Sequence, residues 1–169
     1  MGLDMFAYSV KAELVGDDQV DIPVFDRAAQ AVGYVAPTEE EFRSYTGEQI
    51  QKFYDYREQI QARIKAEGLV DQSFAYWRKF NHLHGWMEQL YRRKGGTKNF
   101  NRTTVRLMPE DLHILTSLAT MKALPPTVGF FFGSYKDFND DDRDSVLEFV
   151  RRANAEIANG RAVLYDSWW

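Results

Sequence analysis

Tyr76-Trp77-Arg78-Lys79-Phe80-Asn81-His82-Leu83-His84-Gly85-Trp86 packs aromatic, cationic and imidazole side chains into a span that reads as three helical turns. How this stretch folds decides the order of elements through the middle of the chain. Placed at about 100° per residue on a helix over 71–93, Tyr76, Phe80, Leu83, Met87 and Leu90 share one face and form a core stripe. Trp77, Asn81, His84 and Glu88 then lie along one flank. Lys79, His82 and Trp86 lie along the other, with Arg78 nearer the solvent. Asp71 or Ser73 is expected to cap the start of this helix. Gly95-Gly96 ends it, and Arg92, Arg93 and Lys94 suit the negative end of its dipole.

Working outward, residues 2–14 alternate, with Leu3, Met5, Ala7 and Ser9 set against Asp4, Phe6, Tyr8 and Val10, and predict a first strand. Residues 19–36 give no clear element, since Pro23 and Gly33 break any long one. Thr38 followed by Glu41 is a capping-box start. From there to Gly68 the chain reads as largely helical, in two pieces around Thr46-Gly47. Downstream, Asn101 to Met108 predicts a strand, and Pro109-Glu110-Asp111 opens a short helix with proline in its first turn. Val128 to Phe132 is an apolar strand. Asn139 caps a helix to Asn159-Gly160, and Arg161 to Trp168 is a last strand. The order β, α, α, β, α, β, α, β predicts a single α+β domain over 1–169. Its small sheet, built from 2–13, 101–108, 128–132 and 161–168, is packed by helices. The strand order stays open, and 38–68 is a helical elaboration.

The chain has 169 residues, a formal net charge of −4 and no cysteine. That length supports one buried core. Without cysteine there are no disulfides, thiolate metal sites or cysteine nucleophiles. The negative charge argues against general nucleic-acid binding, which needs a basic field. No apolar run reaches the roughly 18–20 residues that span a bilayer, and no leader is apparent at the start, so a cytoplasmic location without membrane association is expected.

Three stretches hold the candidate chemistry. The flank Trp77–Asn81–His84 sets an indole, an amide and an imidazole side by side, a row that can stack a flat ring and hydrogen-bond its edge. Arg78 and Lys79 can neutralise an anion. Gly129-Phe130-Phe131-Phe132-Gly133-Ser134 is a strand with glycine at both ends, which permits close approach of backbone to a ligand. It lacks the spacing of a phosphate loop or a nucleophile elbow. Tyr165-Asp166-Ser167-Trp168-Trp169 is unusually aromatic for its position. His82 and His84 form an H-x-H pair, but on a helix they point about 200° apart and do not chelate one ion, so no metal or other cofactor is expected. The three stretches are expected to converge on one concavity, with Trp77, Arg78, Lys79, Asn81, His84, Trp86, Gly133, Ser134, Tyr165 and Trp168 as ligand-binding residues.

Those motifs carry a resemblance. Gly2-Leu3-Asp4-Met5, the Tyr76-Trp77-Arg78-Lys79…Asn81…His84…Trp86 stretch, Leu124…Pro126-Thr127…Gly129 to Ser134, and Tyr165…Ser167-Trp168 make the chain similar to a widespread family of small phage and prophage proteins. Members sometimes carry the label phosphoglycerate kinase. This chain is far too short for that two-domain enzyme and has no nucleotide loop. The resemblance implies a phage or prophage accessory protein acting in the cytoplasm of a bacterial host cell. The residues suggest that it binds a small anionic, ring-containing ligand, a nucleotide or nucleotide second messenger, and so sequesters a host defence signal. Two alternatives stand beside this. One is a hydrolase or transferase acting on a nucleotide-like phosphoester, with His84 as the catalytic acid or base. The other is an inhibitor of a host protein working through the 38–68 helices. Oligomerisation is left open.

Overall fold

The computed structural model describes residues 2–71, 73–125, 127 and 137–169. In chain order these form β1 (Asp4–Lys11), α1 (Val24–Ala31), α2 (Glu39–Arg43), α3 (Gly47–Ala66), β2 (Ala75–Arg78), α4 (Asn81–Arg93), β3 (Val105–Leu107), α5 (Pro109–Thr120), α6 (Asp140–Ala158) and β4 (Arg161–Trp168). The strands make an antiparallel sheet in the order β2-β1-β4-β3, an α+β fold. β1 and β4 pair over their whole length, from Asp4 opposite Trp168 to Lys11 opposite Arg161.

The alternation of β1 determines what each face of the sheet does. Leu3, Met5, Ala7 and Ser9 are buried on one face, beneath Leu83, Met87 and Leu90 of α4, Leu112 and Leu115 of α5, and Val146 and Phe149 of α6. Tyr8 and Val10 are buried on the other, with Val24 and Ala28 of α1 and Ile60 and Ile64 of α3. From Ala162 to Tyr165 β4 is covered on both faces, and these four residues form a continuous buried run. Burying each large apolar side chain contributes about 1.5–3 kcal/mol. The larger cluster, on the first face, therefore carries most of the stability. On the second face α1 and α3 cover only the end of the sheet around Tyr8 and Val10. Tyr76 and Trp168, at the other end, remain 55% and 54% exposed.

The helix starts follow their caps. Thr38 Oγ1 accepts from the Glu41 amide at 3.2 Å, and the Glu41 carboxylate accepts from the Thr38 amide at 2.7 Å. The same box forms at Thr46/Gln49 and at Asn139/Asp142. The helical stretch after Thr38 breaks at Thr46, as its sequence predicts. The ambiguous stretch 19–36 contains α1, which begins directly after Pro23 without a side-chain cap. The 101–108 strand is shorter than expected, because Asn101 is drawn into two hydrogen bonds with the Trp169 backbone and Thr104 into one with the Ile22 amide. The expected strand 128–132 lies outside the described residues.

The expected single helix over 71–93 is corrected. Residues 75–78 are a strand paired with β1, Lys79 turns the chain at φ 56°, and the helix starts only at Asn81. Neither Asp71 nor Ser73 caps it. The Ser73 hydroxyl lies within hydrogen-bond reach of the Ala7 and Ala75 carbonyls, and Asp71 pairs with Arg161. Aromatic residues favour strands, and pairing with β1 outweighs a helical spacing that Tyr76 and Phe80 match only by coincidence. Of the predicted core stripe, Leu83, Met87 and Leu90 are buried, Phe80 is half-buried and Tyr76 is exposed.

Candidate functional site

Antiparallel cross-strand partners point to the same face of a sheet. Arg78, Asp4 and Trp168 therefore form one row, and Tyr76, Phe6 and Asp166 the next, both on the face that α1 and α3 leave half open. Tyr8 belongs to the following row, under α1. Where the open half meets the helices there is a concavity of about 510 Å³, floored by Phe6, Tyr8 and Asp166 and walled by Phe25, Ile64 and Lys65. Its size falls within the roughly 300–1,000 Å³ of small-ligand sites. Phe6 lies 5.3 Å from Tyr76, and Tyr8 lies 6.1 Å from Phe25, centroid to centroid. Phe25 is nonetheless 61% exposed, so one side of its ring is available to another ring.

The electrostatics of this face are uneven. Burial pushes the Asp166 carboxyl up to about 6, opposed by the hydrogen bond it accepts from the Ser167 amide and by the charge of Arg102. Burial, and the charge of Asp166, raise the Tyr8 phenol, which stays protonated. In the outer row the Tyr76 hydroxyl donates to Asp4 at 2.6 Å, and the Arg78 guanidinium stands 3.9 Å from the same carboxylate. Arg102 lies over the Trp168 ring at 5.0 Å. This accounts for Gly2-Leu3-Asp4-Met5. Leu3 and Met5 enter the core, Asp4 anchors Tyr76 and Arg78, and a Cβ at Gly2 would sit 3.1 Å from Lys79 Cε and 3.7 Å from an Arg78 nitrogen.

The residues singled out from sequence divide among three places. His84, Trp86 and Tyr165 are in the main core, the first two only 1% exposed and the third fully buried. His84 Nδ1 and the Tyr165 hydroxyl share a hydrogen bond of 2.9 Å, with the Phe100 ring 5.3 Å from the imidazole. Burial pushes the imidazole down to about 4 and the phenol well up, so both are neutral at pH 7. This pair presents no surface to a ligand. Trp77, Arg78, Lys79 and Asn81 do come together, around a smaller groove of about 230 Å³ at the sheet edge. There the Trp77 indole N–H donates to Ser145 at 3.0 Å and its ring meets Phe149 edge-on. Trp168 is on the open sheet face, two strands from Arg78. Gly133 and Ser134 lie outside the described residues.

The expected convergence on one concavity therefore splits in two. The helix and the C-terminal strand meet through His84 and Tyr165, but inside the core. Arg78 and Trp168 meet across Asp4, on the opposite face. Strand geometry requires the split, since Tyr165 and Trp168 are an odd number of residues apart and point to opposite faces, as do Trp77 and Arg78. The sequence does not single out Phe6, Tyr8, Phe25 and Lys65 for a site, and it brings in Asp166 only as part of the C-terminal stretch. One signal was present, two aromatic residues, Phe6 and Tyr8, at successive alternate positions of β1 on the face opposite Leu3, Met5 and Ala7. Another was a carboxylate directly after the apolar run Ala162 to Tyr165 of β4.

Among the described residues no three His, Asp or Glu side chains gather as a metal site. No helix among them is long and apolar enough to cross a membrane. Comparison with known protein families, with curated proteins and with solved structures finds no match.

Proposed function

We propose that this protein binds a small anionic, ring-containing molecule of the nucleotide class in the concavity on the half-open sheet face. The observation that carries the reading is the meeting there of three aromatic rings, a half-buried carboxyl and a lysine. A flat ring stacks between Phe6, Tyr8 and Phe25, each such contact contributing about 0.5–1.5 kcal/mol beyond burial. Asp166 accepts a hydrogen bond from an amino group on the ring edge. Lys65 neutralises the anionic group, and Arg78 and Arg102 give the outer rim a positive contribution. In the phage or prophage setting that the resemblance implies, such binding would withdraw a signalling nucleotide from a bacterial host.

The test is a melting-temperature screen against mononucleotides and dinucleotides. A ligand present at 100 times its Kd adds about 2.7 kcal/mol of stability. A shift that Phe6→Ala and Lys65→Glu abolish supports the reading, and no shift with any member of the panel rejects it. The raised Asp166 carboxyl favours a second reading, in which it is an acid or base acting on a phosphoester. His84, neutral and enclosed, is no longer the residue for that role. Ligand recovered unchanged after heat denaturation distinguishes binding from turnover.

A further inference from the structure

α3 contributes a second feature. Arg57, Gln61 and Lys65 recur at every fourth residue, so they form one stripe along the helix, about 12 Å from end to end. Of the basic residues on α2 and α3, Arg43, Lys52 and Arg63 are each paired with a glutamate one turn away, Glu39, Glu48 and Glu67. Arg57 and Lys65 make no ion pair among the described residues, and both are exposed. The unpaired cations are thus the two that flank Gln61 on the stripe.

That stripe faces two concavities. One is the 510 Å³ site on the sheet face, which Lys65 and Gln61 line. The other, about 870 Å³, lies between α1, α2 and α3 and includes Tyr34, Phe53, Tyr54 and Arg57. Phe25, Gln61 and Ile64 line both, so the two adjoin across the Phe25 ring. Arg57 rests over Phe53 at 5.8 Å, which places a cation beside an aromatic surface in the second concavity as well. Acidic lining groups are in part already occupied, Glu39 by Arg43 and Asp71 by Arg161. The arrangement repeats, with an aromatic surface and an uncommitted cation on each side of Phe25.

We infer that the two concavities form one site for a two-ring anion of the dinucleotide class. One ring lies against Phe6 and Tyr8 in the first concavity and the other against Tyr34 and Phe53 in the second, with Phe25 between them, and the phosphate linkage faces Arg57, Gln61 and Lys65. This rests on the reading of the sheet-face concavity as a nucleotide site and specifies its ligand.

Calorimetric titration of the full chain with adenosine and guanosine monophosphates, and with the corresponding cyclic dinucleotides, tests it. At least one dinucleotide should bind tenfold or more tightly than its mononucleotide, at one per chain. Arg57→Ala, an exposed change on α3, should remove that advantage and leave mononucleotide affinity unchanged, whereas Lys65→Ala should weaken both. The melting temperatures of the two variants should match the parent. Mononucleotides binding as tightly as dinucleotides, or a dinucleotide advantage that survives Arg57→Ala, overturns the two-ring inference and leaves the underlying site intact. No heat with any of the probes overturns both.

Discussion

Two side chains with shifted protonation, on opposite faces of β4, make opposite predictions. Asp166 has its carboxyl raised from 3.8 to about 6 by burial, so the folded state holds a proton more tightly than the unfolded state does. Its contribution to stability is present below about pH 4 and is lost as pH rises through 6. Asp166→Asn should therefore stabilise the fold at pH 7.5, by about 1–2 kcal/mol after allowance for partial solvent contact. The gain should fade toward pH 4, while nucleotide affinity drops. Melting curves at both pH values check this, and an equal gain at both would contradict it. His84 is the reverse case. Its imidazole is pushed down to about 4, so the unfolded state binds the proton more tightly, and stability falls as pH drops from 6.5 toward 4. Tyr165→Phe removes the hydroxyl bonded to His84 Nδ1 and should cost about 1–3 kcal/mol in urea denaturation. Ligand affinity should not change, because the pair lies across the sheet from the concavity. A loss of binding in that variant without a loss of stability would return His84 to the site.

At the scale of elements, a cap is readable where its helix is placed correctly, as at Thr38 and Asn139, and not at Asp71 or Ser73, where strand pairing moves the helix start to Asn81. Thr38, Thr46 and Asn139 announce their helices because a cap is a contact within four residues, and local sequence contains all of it. Residues 75–78 are different. Tyr76 and Trp77 are compatible with either a helix or a strand, and what makes them a strand is β1, some seventy residues earlier in the chain. The site changes with it, since a helix would put Trp77, Asn81 and His84 on one flank, whereas the strand sends Trp77 and Arg78 to opposite faces. Gly85 likewise carries a packing constraint that its place in the helix does not reveal. A Cβ there would lie 2.9 Å from Thr127 Cβ and 3.0 Å from the Pro125 carbonyl, so this glycine lets a chain segment cross close against α4. Gly85→Ala should therefore destabilise by about 1–3 kcal/mol, although alanine improves intrinsic helix propensity by about 1 kcal/mol. A higher denaturation midpoint in the variant would show that propensity outweighs the close contact.

At the scale of the whole molecule, one face of the sheet is enclosed by three helices and the other is only half covered. The inward face of β1 was legible, because Leu3, Met5 and Ala7 alternate with residues of a different kind. The half-open face was not, since nothing local says that α1 and α3 stop short of Tyr76 and Trp168. That asymmetry predicts a gradient of stability. α3 is held to the body through Ile60 and Ile64, and its first half, from Gly47 to about residue 58, has no buried residue. Amides there should exchange with solvent fastest, those near Ile60 and Ile64 more slowly, and those of the central β1 and β4 strands slowest of all. A ligand lying between the sheet and the Arg57–Gln61–Lys65 stripe would tie α3 to β1 and β4 from the outside. Its addition should then slow exchange across residues 57–65 and leave α5, on the enclosed face, unchanged. Equal slowing of every helix would signal general stabilisation rather than a ligand bridging that face, and the assignment of the site to it would fail.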